Sequence, residues 1–171
     1  MPMFPQIDVG FIVTDERIRE YGLPAPKTAG AGASDLRAFN ILERDATDPT
    51  GWRIREAGAE ELVAPAGEVT FLDTGLMIHI GTPGVLGLVA PRSGSGVAGF
   101  CLANTVGYID SDYTGRLVLA VRPDTTQHIK PGERVAQIAY VPALMPRPQE
   151  YTTFAETERG IGGYGSTGKS G

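Results

Sequence analysis

The sequence is poor in the residues that form disulfides, metal cages and membrane spans. Its 171 residues include one cysteine, Cys101, and two histidines, His79 and His128. One cysteine cannot form an internal disulfide, and these few residues lack the spacing of a zinc site. The longest apolar runs are far shorter than the ~20 residues of a membrane helix. The sequence therefore predicts a soluble protein that makes no membrane contact.

The sequence also lacks an excess of positive charge. Fifteen lysines and arginines against 20 aspartates and glutamates give a formal net charge of -5 at pH 7. Because phosphate backbones are held mainly by surplus lysine and arginine, this balance argues against a nucleic-acid-binding protein. Any site for a phosphate group must therefore be locally basic.

The first residues, MPMFPQID, show neither the basic nor the apolar segment of a secretory signal. Together with the single cysteine, this start favours a reducing compartment. We expect a cytoplasmic protein, or one of the host cytoplasm if its source is viral.

Glycine and proline, by contrast, are abundant, with 23 and 13 residues. They separate short runs rich in valine, isoleucine and leucine, such as VTFLDTGLMIHI, VLGLVA, RLVLAVR and RVAQIAYV. Runs of this length and composition are typical of strands in a sandwich or barrel. The sequence predicts an all-β fold in one domain over residues 1–155, with one helical stretch from Asp15 to Tyr21.

Residues 43–61, ERDATDPTGWRIREAGAEE, form a polar stretch that we interpret as a surface insertion. It contains Trp52, the only tryptophan. A tryptophan that covers a local apolar patch is the commoner case, and a docking site for a protein partner is the alternative.

Residues 156–171 are rich in glycine and poor in apolar side chains, which predicts a flexible C-terminal arm. Gly163 to Ser170 match the P-loop pattern G-x-x-x-x-G-K-[ST]. A P-loop needs a helix after it, and only Gly171 follows, so the pattern does not indicate an ATPase or GTPase.

Residues 104–115, NTVGYIDSDYTG, lie between two apolar runs and predict a β-hairpin with a longer loop. The mouth of such a hairpin exposes backbone N–H and C=O groups. Such groups can donate hydrogen bonds to a ligand and accept hydrogen bonds from it. On sequence alone, Asp110 and Asp112 are more simply read as turn residues.

Five ordered segments together resemble the motifs of the homotrimeric dUTPase family. They are AGASDLRA in the region from Gly30 to Ala38, PRSGSG (91–96), NTVGYIDSDYTG (104–115), GERVAQ (132–137) and RGIGGYGSTG (159–168). The resemblance implies a distorted β-barrel or jelly-roll subunit in a homotrimer that shares its active sites. It implies hydrolysis of dUTP to dUMP and pyrophosphate, with Asp110 as the general base that activates water.

The resemblance also implies the residues that contact the nucleotide. Asp35 is expected to contact Mg²⁺ through water, the Mg²⁺ arriving with the triphosphate. The expected substrate-binding residues are Arg92, Ser93, Gly94, Asn104, Gly107, Tyr108, Ile109, Tyr113, Gln137, Arg159, Tyr164, Gly165, Ser166 and Thr167. For Arg92, a structural ion pair within the trimer is the alternative. The hairpin backbone is expected to pair with the edge of uracil, whose donor and acceptor pattern cytosine reverses. Tyr164 stands where the family more usually has phenylalanine. Arg134 is expected to brace the site or an interface, and Arg116 has no assigned role.

Two alternatives belong to other function classes. The related dCTP deaminases need a catalytic glutamate after the hairpin, and residues 116–120, RLVLA, contain none. A regulator that binds a protein partner through residues 43–61 or the arm is compatible with catalysis, because every catalytic segment is present.

Overall fold

The computed structural model describes residues 6–55 and 61–161. These residues form eleven strands, one 3-10 helix over Glu16–Glu20 and one short α-helix, α1, over Ser93–Val97. The strands are β1 (Gly10–Val13), β2 (Ala33–Ala38), β3 (Asn40–Arg44), β4 (Trp52–Ile54), β5 (Leu62–Ala64), β6 (Thr70–His79), β7 (Val85–Pro91), β8 (Gly107–Ile109), β9 (Arg116–Val121), β10 (Gln127–Ile129) and β11 (Glu133–Pro142).

The strands form two main antiparallel sheets. The first sheet has the order β1-β6-β3-β4, and β9 pairs with the other side of β6. The second has the order β2-β11-β7-β8, and β5 and β10 form a separate pair. The predicted all-β, distorted-barrel or jelly-roll fold is confirmed, and the barrel is not closed.

The core lies where the two sheets pack against each other. Along β9 every second side chain is buried (Leu117, Leu119 and Val121), as expected when one face of a strand meets the core. The central strand β6 is buried along most of its length. The largest fully buried apolar side chains come from both sheets: Leu36, Phe39, Leu72, Leu76, Ile78, Ile80, Phe100, Leu117, Leu119 and Ile138.

The predicted helical stretch is a 3-10 helix. The Asp15 side chain caps it by accepting a hydrogen bond from the Arg17 backbone N–H at 3.1 Å, and Ile18 is its buried residue. The helix α1 was not predicted, because its sequence SGSGV contains two glycines and no strong helix former. In the part of the chain that the structure describes, neither helix is long and apolar enough to cross a bilayer.

Much of the segment interpreted as an insertion is an edge hairpin of the first sheet. Its strands β3 and β4 place Arg44 opposite Trp52 and Glu43 opposite Arg53. The Trp52 ring packs edge-on against Phe71, with ring centroids 5.0 Å apart. Trp52 therefore covers a local apolar patch, and a partner-binding role for residues 43–61 stays a prediction.

After β11 the chain runs to residue 161 without a strand or helix. Large apolar side chains are exposed along it: Leu144 is 97% exposed and Phe154 86%. Arg159, in the first part of the predicted arm, is exposed. Tyr164, Gly165, Ser166 and Thr167, and the P-loop-like segment, lie outside the described residues.

Candidate nucleotide site

One carboxylate in the second sheet is surrounded by three cationic side chains. The Arg92 Nε donates to Asp35 Oδ1 at 2.8 Å, and the Arg134 guanidinium donates to Asp35 Oδ2 at 3.0 Å. The Lys27 ammonium lies 3.9 Å from the same oxygen. Three positive charges against one negative charge leave a local excess of about two positive charges, in a protein whose formal charge is -5. This cationic cluster suits an anionic ligand.

A β-bulge brings Arg134 to this cluster. Residues paired across antiparallel strands point to the same face, so Gln137, which pairs with Asp35, shares its face. Arg134 lies three residues before Gln137, and regular alternation would turn it to the opposite face. The register shifts between Arg134 and Ala136, and Arg134 then pairs with Arg37, on the face of Asp35.

The cluster determines the charge of Asp35. Burial acts to raise the pKa of Asp35, but the hydrogen bond from Arg134 and the charges of Arg92 and Arg134 outweigh it and hold the pKa below its usual range. The carboxylate therefore stays ionised at neutral pH. It fixes the two guanidinium groups in position and neutralises one of them.

The remaining phosphate-site candidates of this sheet lie beside the cluster. Ser93 and Gly94 follow Arg92 directly, at the start of α1, and both are exposed. The Gln137 amide donates to the Pro91 carbonyl at 3.1 Å, which leaves its side-chain oxygen available. The structure thus brings Asp35, Arg92, Ser93, Gly94, Arg134 and Gln137 together.

The predicted hairpin is joined at its base and splayed at its tip. At the base, the Ala103 N–H donates to the Ala120 carbonyl at 2.8 Å. Further along, β8 pairs with β7 in the second sheet, whereas β9 pairs with β6 in the first. Because the two strands belong to different sheets, a gap opens between them. We call this gap, between residues 107–109 and 116–118, the mouth.

Asn104 and Gly107 lie at the inner end of the mouth. Thr105 adopts a left-handed φ of 62°, and the Val106 N–H donates to the Asn104 carbonyl at 2.7 Å, which makes a tight turn. Gly107 is buried, and a Cβ there would lie 3.1 Å from the Val89 Cβ and 3.6 Å from the Asn104 amide nitrogen. The chain approaches closely here, which only glycine permits without a shift of its neighbours.

The Tyr113 ring forms a wall at the outer end of the mouth. Its hydroxyl donates to the Arg116 carbonyl at 2.8 Å, which folds the ring over Gly115. A Cβ at Gly115 would lie 2.6 Å from the ring's Cζ. The glycine therefore makes room for the ring. The side chain of Tyr108 is 68% exposed, so its ring does not pack into the mouth. Tyr108 can contribute to the mouth through its backbone groups.

Asp110 lies at the tip, in the loop between β8 and β9. Its side chain is exposed and makes no hydrogen bond or ion pair with any residue in the described ranges. The loop itself is held: the Gly81 N–H donates to the Ser111 carbonyl at 2.8 Å, and the Ile78 N–H donates to the Gly115 carbonyl at 3.1 Å. A fixed backbone thus presents an unpaired carboxylate, which is what a general base requires.

The tip of the hairpin and Asp35 lie far apart within one chain. Asp35 is on β2 and Asp110 follows β8, and these two edge strands of the second sheet are separated by β7 and β11. Asp35 is level with Ala90 on β7, whereas Asp110, which follows Ile109, is level with Leu86. Three strand spacings of about 4.8 Å and four residues along β7 at about 3.3 Å each separate the two carboxylates by roughly 20 Å.

Two residues of the site region have roles that the sequence did not reveal. Lys27 joins the cationic cluster from a loop that carries no motif. Arg116 pairs with both oxygens of Asp73 at 3.0 Å, and the Asp73 side chain is fully buried. Arg116 therefore neutralises a core carboxylate next to the mouth. No sequence pattern marks that pairing, because the two residues are 43 positions apart.

The fold and the cationic cluster define an all-β protein with a site suited to a phosphate-bearing ligand. Residues 49–168 match the family model for dUTPase. A deoxyuridine 5'-triphosphate nucleotidohydrolase of Azotobacter vinelandii is 40% identical over 160 residues, covering 91% of this chain and 94% of the relative. One of Pectobacterium carotovorum is 38% identical over 172 residues, covering 98% of this chain and all of the relative. The chain belongs to the dUTPase family.

Solved structures show the same fold. The dUTPase of Staphylococcus bacteriophage 80alpha with dUPNHPP aligns with a TM-score of 0.72 and 20% identity, over 94% of this chain and 98% of that chain. A dUTPase of phage phi11 of S. aureus, described as coordinating a structural Mg(II) ion, aligns with a TM-score of 0.65 and 17% identity, over 86% of this chain and 98% of that chain. At these identities the similarity supports the fold assignment alone.

Proposed function

We propose that this protein hydrolyses dUTP to dUMP and pyrophosphate. The observation that carries the proposal is the hairpin, which has an open mouth and presents at its tip the Asp110 carboxylate, which is not paired with any described residue. The curated relatives named as deoxyuridine triphosphate nucleotidohydrolases support the substrate.

The mouth is proposed to hold the deoxyuridine moiety. Backbone groups of Gly107, Tyr108 and Ile109 pair with the uracil edge, assisted by the Asn104 amide. Cytosine presents the reverse donor and acceptor pattern and would leave these groups unpaired. The Tyr113 ring packs against the deoxyribose, where a 2'-hydroxyl would clash, so that the site selects the deoxy sugar.

Asp110 is proposed to act as the general base. Its carboxylate takes a proton from a water molecule while the water oxygen forms a bond to the α-phosphorus. The bond between the α-phosphorus and the oxygen that bridges to the β-phosphate breaks, and that oxygen leaves as part of pyrophosphate. The products are dUMP and pyrophosphate, and the proton passes from Asp110 to solvent.

The cationic cluster is proposed to bind the phosphates. Arg92, the Ser93 hydroxyl and the Gly94 N–H face them, with Gln137 beside the attacking water, while Asp35 holds the guanidinium groups in place. Arg159, Tyr164, Gly165, Ser166 and Thr167 of the arm would close over the bound nucleotide, with Tyr164 stacked on the uracil.

A magnesium ion fits this site only if the triphosphate supplies most of its ligands. Within the described ranges, no group of three or more histidine, cysteine, aspartate or glutamate side chains could hold a metal ion. Asp35 already contacts three cationic side chains, so a bare metal cation on its oxygens would be repelled by them. Asp35 can still accept a hydrogen bond from a water molecule on the ion. When bound, Mg²⁺ offsets the phosphate charge.

The proposed site needs more than one subunit. Asp110 and Asp35, the centre of the cationic cluster, are assigned to the same triphosphate, yet they lie roughly 20 Å apart in one chain, farther than a triphosphate reaches. The exposed apolar side chains of residues 143–161 are also consistent with contact to a second copy. We therefore propose a homotrimer in which Asp110 of one subunit faces the cluster of another.

Complementation tests this sharing of sites. Asp110→Asn and Arg92→Met should each be nearly inactive alone. When the two are unfolded together in equal amounts and refolded, random mixing gives half the sites an intact Asp110 and half an intact Arg92. We expect roughly a quarter of wild-type activity, because the two residues of a site come from different chains. Each variant refolded alone is the control, and an inactive mixture would place both residues in one chain.

Substrate selectivity tests the function itself. Pyrophosphate release is measured with dUTP, dCTP, dTTP and UTP in the presence of magnesium. We expect kcat/KM for dUTP to exceed the others by at least about 100-fold, because each competitor leaves a polar group unpaired or clashes. Ammonia release from dCTP would indicate a deaminase, and no turnover of any nucleotide would leave a non-enzymatic regulator.

A further inference from the structure

A cleft with a volume of about 210 Å³ lies beside the outer end of the mouth and shares Ile109, Tyr113 and Arg116 with it. The hairpin contributes Ile109 and Tyr113, and β9 contributes Val118 and Ala120. The opposite wall comes from β6 and from the β3–β4 hairpin, through Phe71, Trp52 and Arg44. The insertion therefore lines a cleft whose other side carries Ile109 and Tyr113, two residues that the proposed function places against deoxyuridine.

Arg44 is held in this wall by two aromatic rings. Its guanidinium lies 4.2 Å from the centre of the Trp52 ring and 5.8 Å from that of Phe71. The two rings themselves pack edge to face. Such stacking restrains a long side chain while leaving its N–H groups free to donate to a ligand.

Arg44 has no acidic partner among the described residues, and the chain around it shows why. Its neighbours Glu43 and Asp45 both turn to Arg53, on the facing strand, at 3.0 Å and 3.9 Å. The nearest carboxylates are thus already paired. Arg44 leaves a positive charge, backed by aromatic rings, at the edge of a cleft whose other lining residues, apart from Arg116, are aromatic or aliphatic.

The positive charge of Arg44 affects the Tyr113 phenol at the outer end of the mouth. Burial raises the pKa of the Tyr113 phenol, and the positive charge of Arg44 opposes that rise. Arg44 and Tyr113 also line the same cleft, so both side chains are available to a ligand bound there. The other charged group of the cleft, Arg116, is already neutralised by Asp73.

We propose that Arg44 is a substrate-binding residue that donates a hydrogen bond to an oxygen of the deoxyuridine moiety. The inference rests on the proposed function and adds the β3–β4 hairpin to the site. The apolar walls of the cleft fit a flat, uncharged base, and a guanidinium complements the oxygen atoms at its edge. Trp52 is then a positioning residue, because it acts by holding Arg44.

The test compares Arg44→Met with Arg53→Met. Both substitutions remove one guanidinium from the same hairpin, but only Arg44 lines the cleft. Affinity for dUMP is measured by calorimetry, and kcat and KM for dUTP by pyrophosphate release. We expect Arg44→Met to weaken dUMP binding and to raise KM for dUTP, each by about 10-fold or more, because one charged hydrogen-bond donor is lost. The value of kcat should stay within about twofold of wild type, because Arg44 does not contact the reacting atoms. Arg53→Met should match wild type, and Arg44→Lys should recover part of the affinity.

Three results would overturn the inference. The first is unchanged dUMP affinity in Arg44→Met. The second is an equal loss in Arg53→Met, which would indicate a general charge effect. The third is a change of oligomeric state in both Arg44→Met and Trp52→Leu with KM unchanged, which would make the cleft a subunit contact. If the wild-type protein hydrolyses dUTP and Arg44→Met behaves identically, only this inference is refuted. If the wild-type protein shows no turnover of dUTP, the proposed function is refuted.

Discussion

Replacing Asp110 with asparagine is expected to lower kcat for dUTP by roughly 10²- to 10⁴-fold, the usual contribution of a general base. Asparagine has nearly the same shape but cannot accept the proton from water at neutral pH. The Asp110 side chain makes no hydrogen bond or ion pair with other described residues, so its replacement should not disturb the fold. Single-turnover pyrophosphate release measures the chemical step, and calorimetry with a non-hydrolysable dUTP analogue should show binding within a few-fold of wild type.

The matched control is Asp112→Asn, which changes another exposed aspartate in the same loop. It should retain nearly full activity, because the substitution removes an equal charge from a position not assigned to the water. If Asp112→Asn were as inactive as Asp110→Asn, the loop charge as a whole, and not one base, would be responsible. If Asp110→Asn kept most of its activity, Asp110 would not be the base.

The sequence predicted the hairpin and the exposed backbone groups at its mouth, but not the strand pairing that opens the mouth. Alternation and turn residues are local signals, and they placed the loop of Asp110 between two strands. They do not reveal that β8 joins one sheet and β9 the other, since that depends on pairing with β7 and β6. Strand pairing between distant segments is set by packing rather than by local propensity. The mouth is a product of that long-range pairing.

The cationic cluster likewise depends on long-range pairing that the sequence does not reveal. The resemblance singled out Asp35 and Arg92, and a bracing role was expected for Arg134. Period-two counting from Gln137, however, would turn Arg134 away from Asp35, and only the bulge before Ala136 reverses this. A bulge depends on how two strands settle against each other. Lys27, in a loop without a motif, carried no signal at all.

Residues 43–61 were interpreted as an insertion from their composition, which gave no indication of strand β4. Residues 52–54, WRI, are too few for an alternating pattern to be recognised. They form a strand because β3 offers a free edge beside them. That pairing places Trp52 and Arg44 side by side across the hairpin. As a result, this polar segment forms one wall of the cleft.

Replacing Arg116 with methionine is expected to lower the free energy of unfolding by about 3–5 kcal/mol, the usual cost of removing one partner from a buried ion pair. Asp73 is fully buried, and among the described residues its carboxylate accepts hydrogen bonds, apart from those of Arg116, only from the Asn40 amide and the Gly75 N–H. Without Arg116 the buried Asp73 carboxylate would lose its ion-pair partner. Urea unfolding at one fixed protein concentration measures the change, because an oligomer's stability depends on concentration.

A double variant separates the ion pair from other effects of the substitution. Adding Asp73→Asn to Arg116→Met removes the buried charge, while the oxygen of the new amide side chain can still accept the Gly75 N–H, so most of the lost stability should return. Arg122→Met is the surface control: within the described ranges the Arg122 side chain donates only to the Gly67 carbonyl, and it is exposed, so the change should be small. If the double variant were as unstable as Arg116→Met alone, the side-chain packing of Arg116 and not its charge would support β9. Recovery would show that one ion pair, between residues 43 positions apart, holds β9 and with it one side of the mouth.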